Sequence, residues 1–140
     1  MDIVKHFNLE PGDRIIIPKS LLGLVQHHAL YLGYNNLGQH LICENVFGVG
    51  VKLTRVEDFF YDVKSVTRIE KFQGNNFERK QIVQKALTKL GKPYSLINYN
   101  CESFCNDIQH NVIKSSQVSA GLFIGFVGLV FALSNSNYGK

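Results

Sequence analysis

Near Gly74 the chain changes rhythm, and that change limits the folds open to it. Before it, apolar residues alternate or gather in short runs bounded by turn residues. After it they recur at helical spacing. Arg14-Ile15-Ile16-Ile17 follows the turn Pro11-Gly12-Asp13 and is stopped by Pro18, as a strand would be. Residues 26–34 read as a second strand, and Asn35-Asn36-Leu37-Gly38 as the turn after it. Gln39 to Asn45 then reads as the returning strand, with Val49–Leu53 and Val63–Ile69 as further short strands. Beyond Gly74, Asn75 or Asn76 caps a helix carrying Ile82, Val83, Ala86, Leu87 and Leu90 on helical spacing. Gly91 and Pro93 end it. A second helix starts at Asn100 or Cys101, with Cys101, Phe104, Cys105, Ile108 and Val112 on one face. Strands first and helices later predict an α+β domain: a small antiparallel sheet followed by helices.

Length and composition agree with one globular domain. The chain has 140 residues, of which 45% are hydrophobic and 19% charged. The net charge of +4 is scattered, which gives poor support to a nucleic-acid footprint but permits attraction to an anionic membrane surface. Three cysteines (Cys43, Cys101 and Cys105) do not make a disulfide scaffold, and a reducing, intracellular compartment is expected. With no CxxC and no ligand-like spacing of histidines, neither a metal nor another cofactor is expected. The N-terminus has no long apolar stretch of the secretory type.

The C-terminal region differs from the rest. Residues 115–139 carry no charged side chain, and Val118–Leu133 is apolar apart from Ser119 and three glycines. As a helix its roughly 16 residues would span about 24 Å, short of a ~30 Å hydrocarbon core. Three glycines disfavour a soluble helix. Residues 116–134 are therefore read as a C-terminal hydrophobic, membrane-associated helix.

Two segments offer chemistry. Asn100-Cys101-Glu102-Ser103-Phe104-Cys105 places a thiol at the start of a helix, where the helix dipole and unpaired amides favour a thiolate and can hold an oxyanion. Cys105, one turn later, lacks that advantage and is read as core, as is Cys43. His27-His28-Ala29-Leu30-Tyr31-Leu32-Gly33 offers an imidazole on a strand, where adjacent histidines point to opposite faces and only one can meet the cysteine. On the returning strand His40 and Glu44 compete to orient that base. His6 and His110 are expected to face solvent.

These segments resemble the lecithin:retinol acyltransferase family, which includes the H-Ras-like suppressor phospholipase/acyltransferases and shares a circularly permuted papain-like fold with NlpC-type peptidases. Pro11-Gly12-Asp13 resembles the family's opening. The histidine strand is similar in its spacing to the tyrosine and glycine that follow, which selects His27 over His28. Gln39-His40-Leu41 resembles the segment with a second histidine, and Asn100-Cys101-Glu102-Ser103-Phe104 resembles the nucleophile motif Asn-Cys-Glu-His-Phe. The resemblance covers residues 9–113. Ser103 departs from the motif histidine, the turn before His40 is about one residue longer, and the domain is too compact to carry over retinol as substrate.

The resemblance implies a thiol-dependent phospholipid acyltransferase or phospholipase A-type hydrolase working through an acyl-thioester. Cys101 would be the nucleophile, His27 the general base and acid, and His40 the third, orienting member. A phospholipid or other acyl ester would be the substrate, and the C-terminal segment would anchor the enzyme to the membrane. Two rivals remain at this stage. One is an NlpC-type cysteine peptidase or amidase; the other is a non-enzymatic membrane-associated module.

Overall fold

The architecture grows outward from one long strand. In the computed structural model, which describes residues 1–19 and 23–121, β2 (Gln26–Tyr34) lies at the centre of a five-stranded sheet. β1 (Arg14–Pro18) and β3 (His40–Val46) flank it, β4 (Gly50–Arg55) forms one edge, and the three-residue β5 (Arg68–Glu70) forms the other. Every pairing is antiparallel. Short helices α1 (Ile3–His6) and α2 (Val56–Phe59) interrupt the strands; α3 (Asn76–Thr88), α4 (Cys101–His110) and α5 (Ser116–Ser119) follow them. The class is α+β.

Both faces of the sheet are covered, because β2 is apolar on both sides. Leu30 and Leu32 of β2, with Cys43 and Val51, pack against Ile82 and Ala86 of α3 and Phe104, Cys105 and Ile108 of α4. Ala29 and Tyr31 point the other way, into a cluster of Ile15, Ile17, Ile42, Val56, Phe59 and Leu9. Burial of such side chains contributes roughly 1.5–3 kcal/mol each. Alternation along β2 thus decides which layer each residue joins. A bulge between Tyr31 and Gly33 shifts the register to β3, so Tyr31 pairs with Ile42 but Gly33 with Leu41.

Several sequence expectations need correction. Residues 63–67 are not strand; only Arg68–Glu70 pairs with β1, while Val63 and Val66 pack at the margin of the second cluster. The apolar spacing there served core contact without ladder pairing. Val112 lies beyond the end of α4 and is exposed, because Asn111 closes the helix in the left-handed conformation. Asn75 caps α3 through a full capping box with Glu78. Among the described residues no helix is long and apolar enough to cross a membrane. The expected C-terminal hydrophobic helix lies, from residue 122 onward, outside the described residues.

Candidate active site

The start of α4 is fixed from three directions. Asn45 of β3 donates through Nδ2 to the carbonyl of Tyr99 at 2.8 Å, tying the sheet to the residue just before the helix cap. Gly50, at φ +99°, lets the chain pass close by: a Cβ there would sit 2.6 Å from the Lys92 carbonyl oxygen, which accepts from Val51 N–H at 3.0 Å. Asn100 then caps α4, its Oδ1 accepting from the backbone N–H groups of Glu102 and Ser103, both at 3.0 Å. Ser103 completes a capping box, its Oγ accepting from Asn100 N–H at 2.7 Å. The serine that departs from the family motif therefore has a local task that its short hydroxyl suits.

Cys101 follows the cap, in the first turn of α4. It is 2% exposed and packs with Val25, Tyr94, Leu96 and Val118. Its Sγ lies 3.7 Å from the carbonyl oxygen of Gln26, at the beginning of β2. One residue further along β2 stands His27, whose ring is close enough to the cysteine sulfur for the two to interact electrostatically. The other side of that ring is also occupied: Nε2 lies 2.8 Å from Glu44 Oε2. The Glu44 carboxylate accepts in turn from Thr54 Oγ1 at 2.9 Å, with Lys52 Nζ 4.0 Å away. The register explains this line of groups. Ala29 pairs with Glu44 and Ile42 with Thr54, so His27, Glu44 and Thr54 are diagonal neighbours on one face of three adjacent strands.

Electrostatics follow the geometry. Burial opposes a charge on His27, but the hydrogen bonds to Cys101 and Glu44 and their negative charges outweigh it, raising the imidazolium to about 9. Burial likewise opposes charge on Glu44, yet its contacts with His27, Thr54 and Lys52 hold the carboxyl below its ordinary range. Such a line can hold an imidazolium between a carboxylate and a sulfur at neutral pH. Tyr94 packs in the same apolar cluster as Cys101, and burial and the nearby sulfur push the ionisation of its hydroxyl upward, so that it stays neutral. Sequence reasoning passed over Tyr94; its position seven residues before Cys101, at the far end of the loop that α4 closes, was the available signal.

His28 points to the opposite face. It is buried, with Nδ1 3.4 Å from Arg14 Nη1, and burial together with the Arg14 charge pushes it down to about 4. Arg14 also reaches Gln109 and Asn106 of α4 at 2.8 Å each.

His40, the expected orienting group, is placed away from His27. It shares a face with Glu44 but lies four residues away along β3, ~14 Å at about 3.4 Å per residue. There its Nδ1 is 2.6 Å from the Tyr31 hydroxyl and its ring stacks on Tyr31. Glu44, the rival for that position, is the group found there. Cys43 and Cys105 are fully buried in the core beside α3 and α4. Burial pushes the Cys43 thiol up to about 12 and the Cys105 thiol higher still. His6 and His110 are exposed. Among the described residues no group of three or more His, Cys, Asp or Glu could hold a metal ion.

A helix-borne cysteine, a strand histidine and a carboxylate thus lie together where the sheet meets the start of α4. The chain belongs to the lecithin retinol acyltransferase family, whose sequence model matches residues 7–114. Activity of the acyltransferase or phospholipase type goes with that family. No curated protein and no solved structure matches the chain.

Proposed function

We infer that this protein is a thiol-dependent enzyme that takes an acyl group from a glycerophospholipid ester and passes it to water or to an acceptor hydroxyl or amine. The observation that carries the reading is the Cys101–His27–Glu44 line at the N-terminus of α4. In this reading the Cys101 thiolate attacks the ester carbonyl carbon, forming a C–S bond and a tetrahedral oxyanion. The backbone amides of the first turn of α4 and the neutral Tyr94 hydroxyl serve, in this reading, as donors to that oxyanion. Collapse breaks the ester C–O bond, and the His27 imidazolium gives its proton to the leaving alkoxide. Water or the acceptor then attacks the thioester while His27 takes its proton, and the thiolate is released.

Glu44 replaces His40 as the group that fixes the His27 ring and stabilises its charge. The antiparallel sheet with the base on β2 and the nucleophile on a later helix fits a permuted papain-like arrangement. Membrane association through residues 116–134, intracellular, belongs to the same proposal. It rests on the uncharged apolar run and on the lipid substrate.

Intact-mass spectrometry after incubation with phosphatidylcholine vesicles tests this reading, wild type beside Cys101→Ala. One added acyl mass in the wild type and none in the variant is expected. The same adduct on both proteins, or neither adduct nor released fatty acid, refutes it.

A further inference from the structure

A nucleophile that is 2% exposed cannot meet an ester carbonyl unless something beside it moves. Four side chains, Val25, Tyr94, Leu96 and Val118, share one apolar cluster with Cys101. Val25 lies just before β2, Tyr94 and Leu96 in the loop before α4, which carries the sulfur, and Val118 in α5. The four elements differ in how they are held. β2 and α4 are built into the sheet and its core. The loop is pinned by the Ser95–Tyr99 bridge and by the Asn45 contact to Tyr99. α5 is a four-residue turn of helix with Ser116, Ser119 and Ala120 exposed.

Polar contacts with two residues of the site account for most of what holds α5. The Glu102 carboxylate, next in sequence to the nucleophile, accepts from Ser115 Oγ and Ser116 Oγ, both at 2.6 Å, and from Gln117 N–H at 3.1 Å. The buried Gln117 side chain lies along the peptide of Gln26. Its Oε1 accepts from Gln26 N–H at 2.7 Å and its Nε2 donates to Gln26 O at 3.1 Å. That carbonyl oxygen is the one facing Cys101 Sγ. The strap is thus tied to the residue after the nucleophile and to the residue before the base, and it sets Val118 against the cluster of Val25 and Cys101 between them.

We propose that Val25, Tyr94 and Leu96 form an apolar subsite for the part of the substrate's acyl chain next to its carbonyl, and that Val118 fills this subsite in the closed protein as a plug latched by Glu102 and Gln117. The acyl identity of the occupant rests on the functional reading above. The plug itself rests only on geometry. Unseating α5 exposes the sulfur and leaves an apolar recess beside it, lined by Val25, Tyr94 and Leu96. Burial opposes charge on Glu102, but the three donors from the strap and the nearby His28 hold its carboxyl down at about 2, so the latch is charged at any physiological pH.

The test is the rate of maleimide labelling at each cysteine of the full chain, read by peptide mapping, with N-methylmaleimide and N-octylmaleimide. Ser115→Ala/Ser116→Ala removes two of the three donors to Glu102 and is expected to label Cys101 about tenfold faster than wild type. Gln117→Ala is expected to act in the same direction. The exposed single change Ser116→Ala should give a smaller increase of the same sign. Cys43 and Cys105 must stay unlabelled throughout, which separates opening of the strap from unfolding. In the opened variant the octyl-to-methyl rate ratio should rise, and adding Leu96→Asn should lower it again.

Equal Cys101 labelling in wild type and all three strap variants, with Cys43 and Cys105 protected, overturns the plug. An unchanged octyl-to-methyl ratio overturns the apolar subsite. Labelling needs no lipid turnover. A protein that forms no acyl adduct yet shows the strap effect would therefore refute the enzymatic reading while leaving the plug standing.

Discussion

His27 and His28 are consecutive, both buried, and placed in opposite chemistry by one strand. His27 looks onto a sulfur and a carboxylate, and its proton is held to about 9. His28 looks onto a guanidinium, and its proton is lost above about 4. Nothing intrinsic to the residue distinguishes them. The pleat turns one toward the Cys101–Glu44 line and the other toward the layer of α4, and the charges waiting on each side do the rest. Two opposite electrostatic settings can thus be built from the same dipeptide.

The sharpest way to break this contrast is to delete each ring. His27→Ala should cut acyl-enzyme formation by roughly 10²–10⁴, the usual worth of a general acid–base. His28→Asn should leave the rate per folded molecule within about threefold, since no reacting group is lost. Pre-steady-state adduct formation followed by mass spectrometry compares the two.

The next effect comes from the carboxylate. Glu44→Gln should lower the acylation rate about ten- to hundredfold. It should also move the alkaline limb of the rate profile down from about pH 9, because His27 loses the partner that stabilises its charge. His40→Ala should do neither. If the two variants exchange these phenotypes, the second histidine and not Glu44 orients the base.

Stability against pH sharpens the contrast further, because the two rings carry opposite signs. The folded-state value of His27 is raised above its unfolded 6.5, so its contribution is complete below pH 6.5 and is lost as pH rises toward 9. That of His28 is depressed, so its contribution is complete above 6.5 and is lost as pH falls toward 4. Urea midpoints should fall on both sides of pH 6.5. Glu44→Gln should flatten the alkaline side, and His28→Asn the acid side.

The smallest effect concerns the helix that presents the thiol. Ser103→Ala removes the hydroxyl that accepts from Asn100 N–H and should cost about 1 kcal/mol, a few degrees in Tm.

Much of this frame was legible in the sequence. Short apolar or alternating runs bounded by turn residues marked β1, β2 and β3, and Asn75 and Asn100 marked the starts of α3 and α4. The place of Cys101 at the start of α4 was legible because Asn100 reads as a cap residue. The choice between His40 and Glu44 was not. Both lie on one face of β3, and only the cross-strand register shows which lies diagonal to His27. The bulge at Tyr31–Gly33 shifts that register near His40, and no local residue pattern announces it. The strap was hidden for a different reason. Ser115, Ser116 and Gln117 read as the polar entry to an apolar run, and their bonds to Glu102 and Gln26 join residues 13 to 91 positions apart.

The pairing of Cys101 with His27 is tested most directly by following the imidazole carbon and nitrogen resonances of each histidine against pH, in wild type and in Cys101→Ala. The His27 ring should titrate near 9 in the wild type and lower in the variant, while His28 stays neutral down to about 4 in both. A His27 midpoint near 6.5 that is indifferent to Cys101→Ala would contradict the pairing.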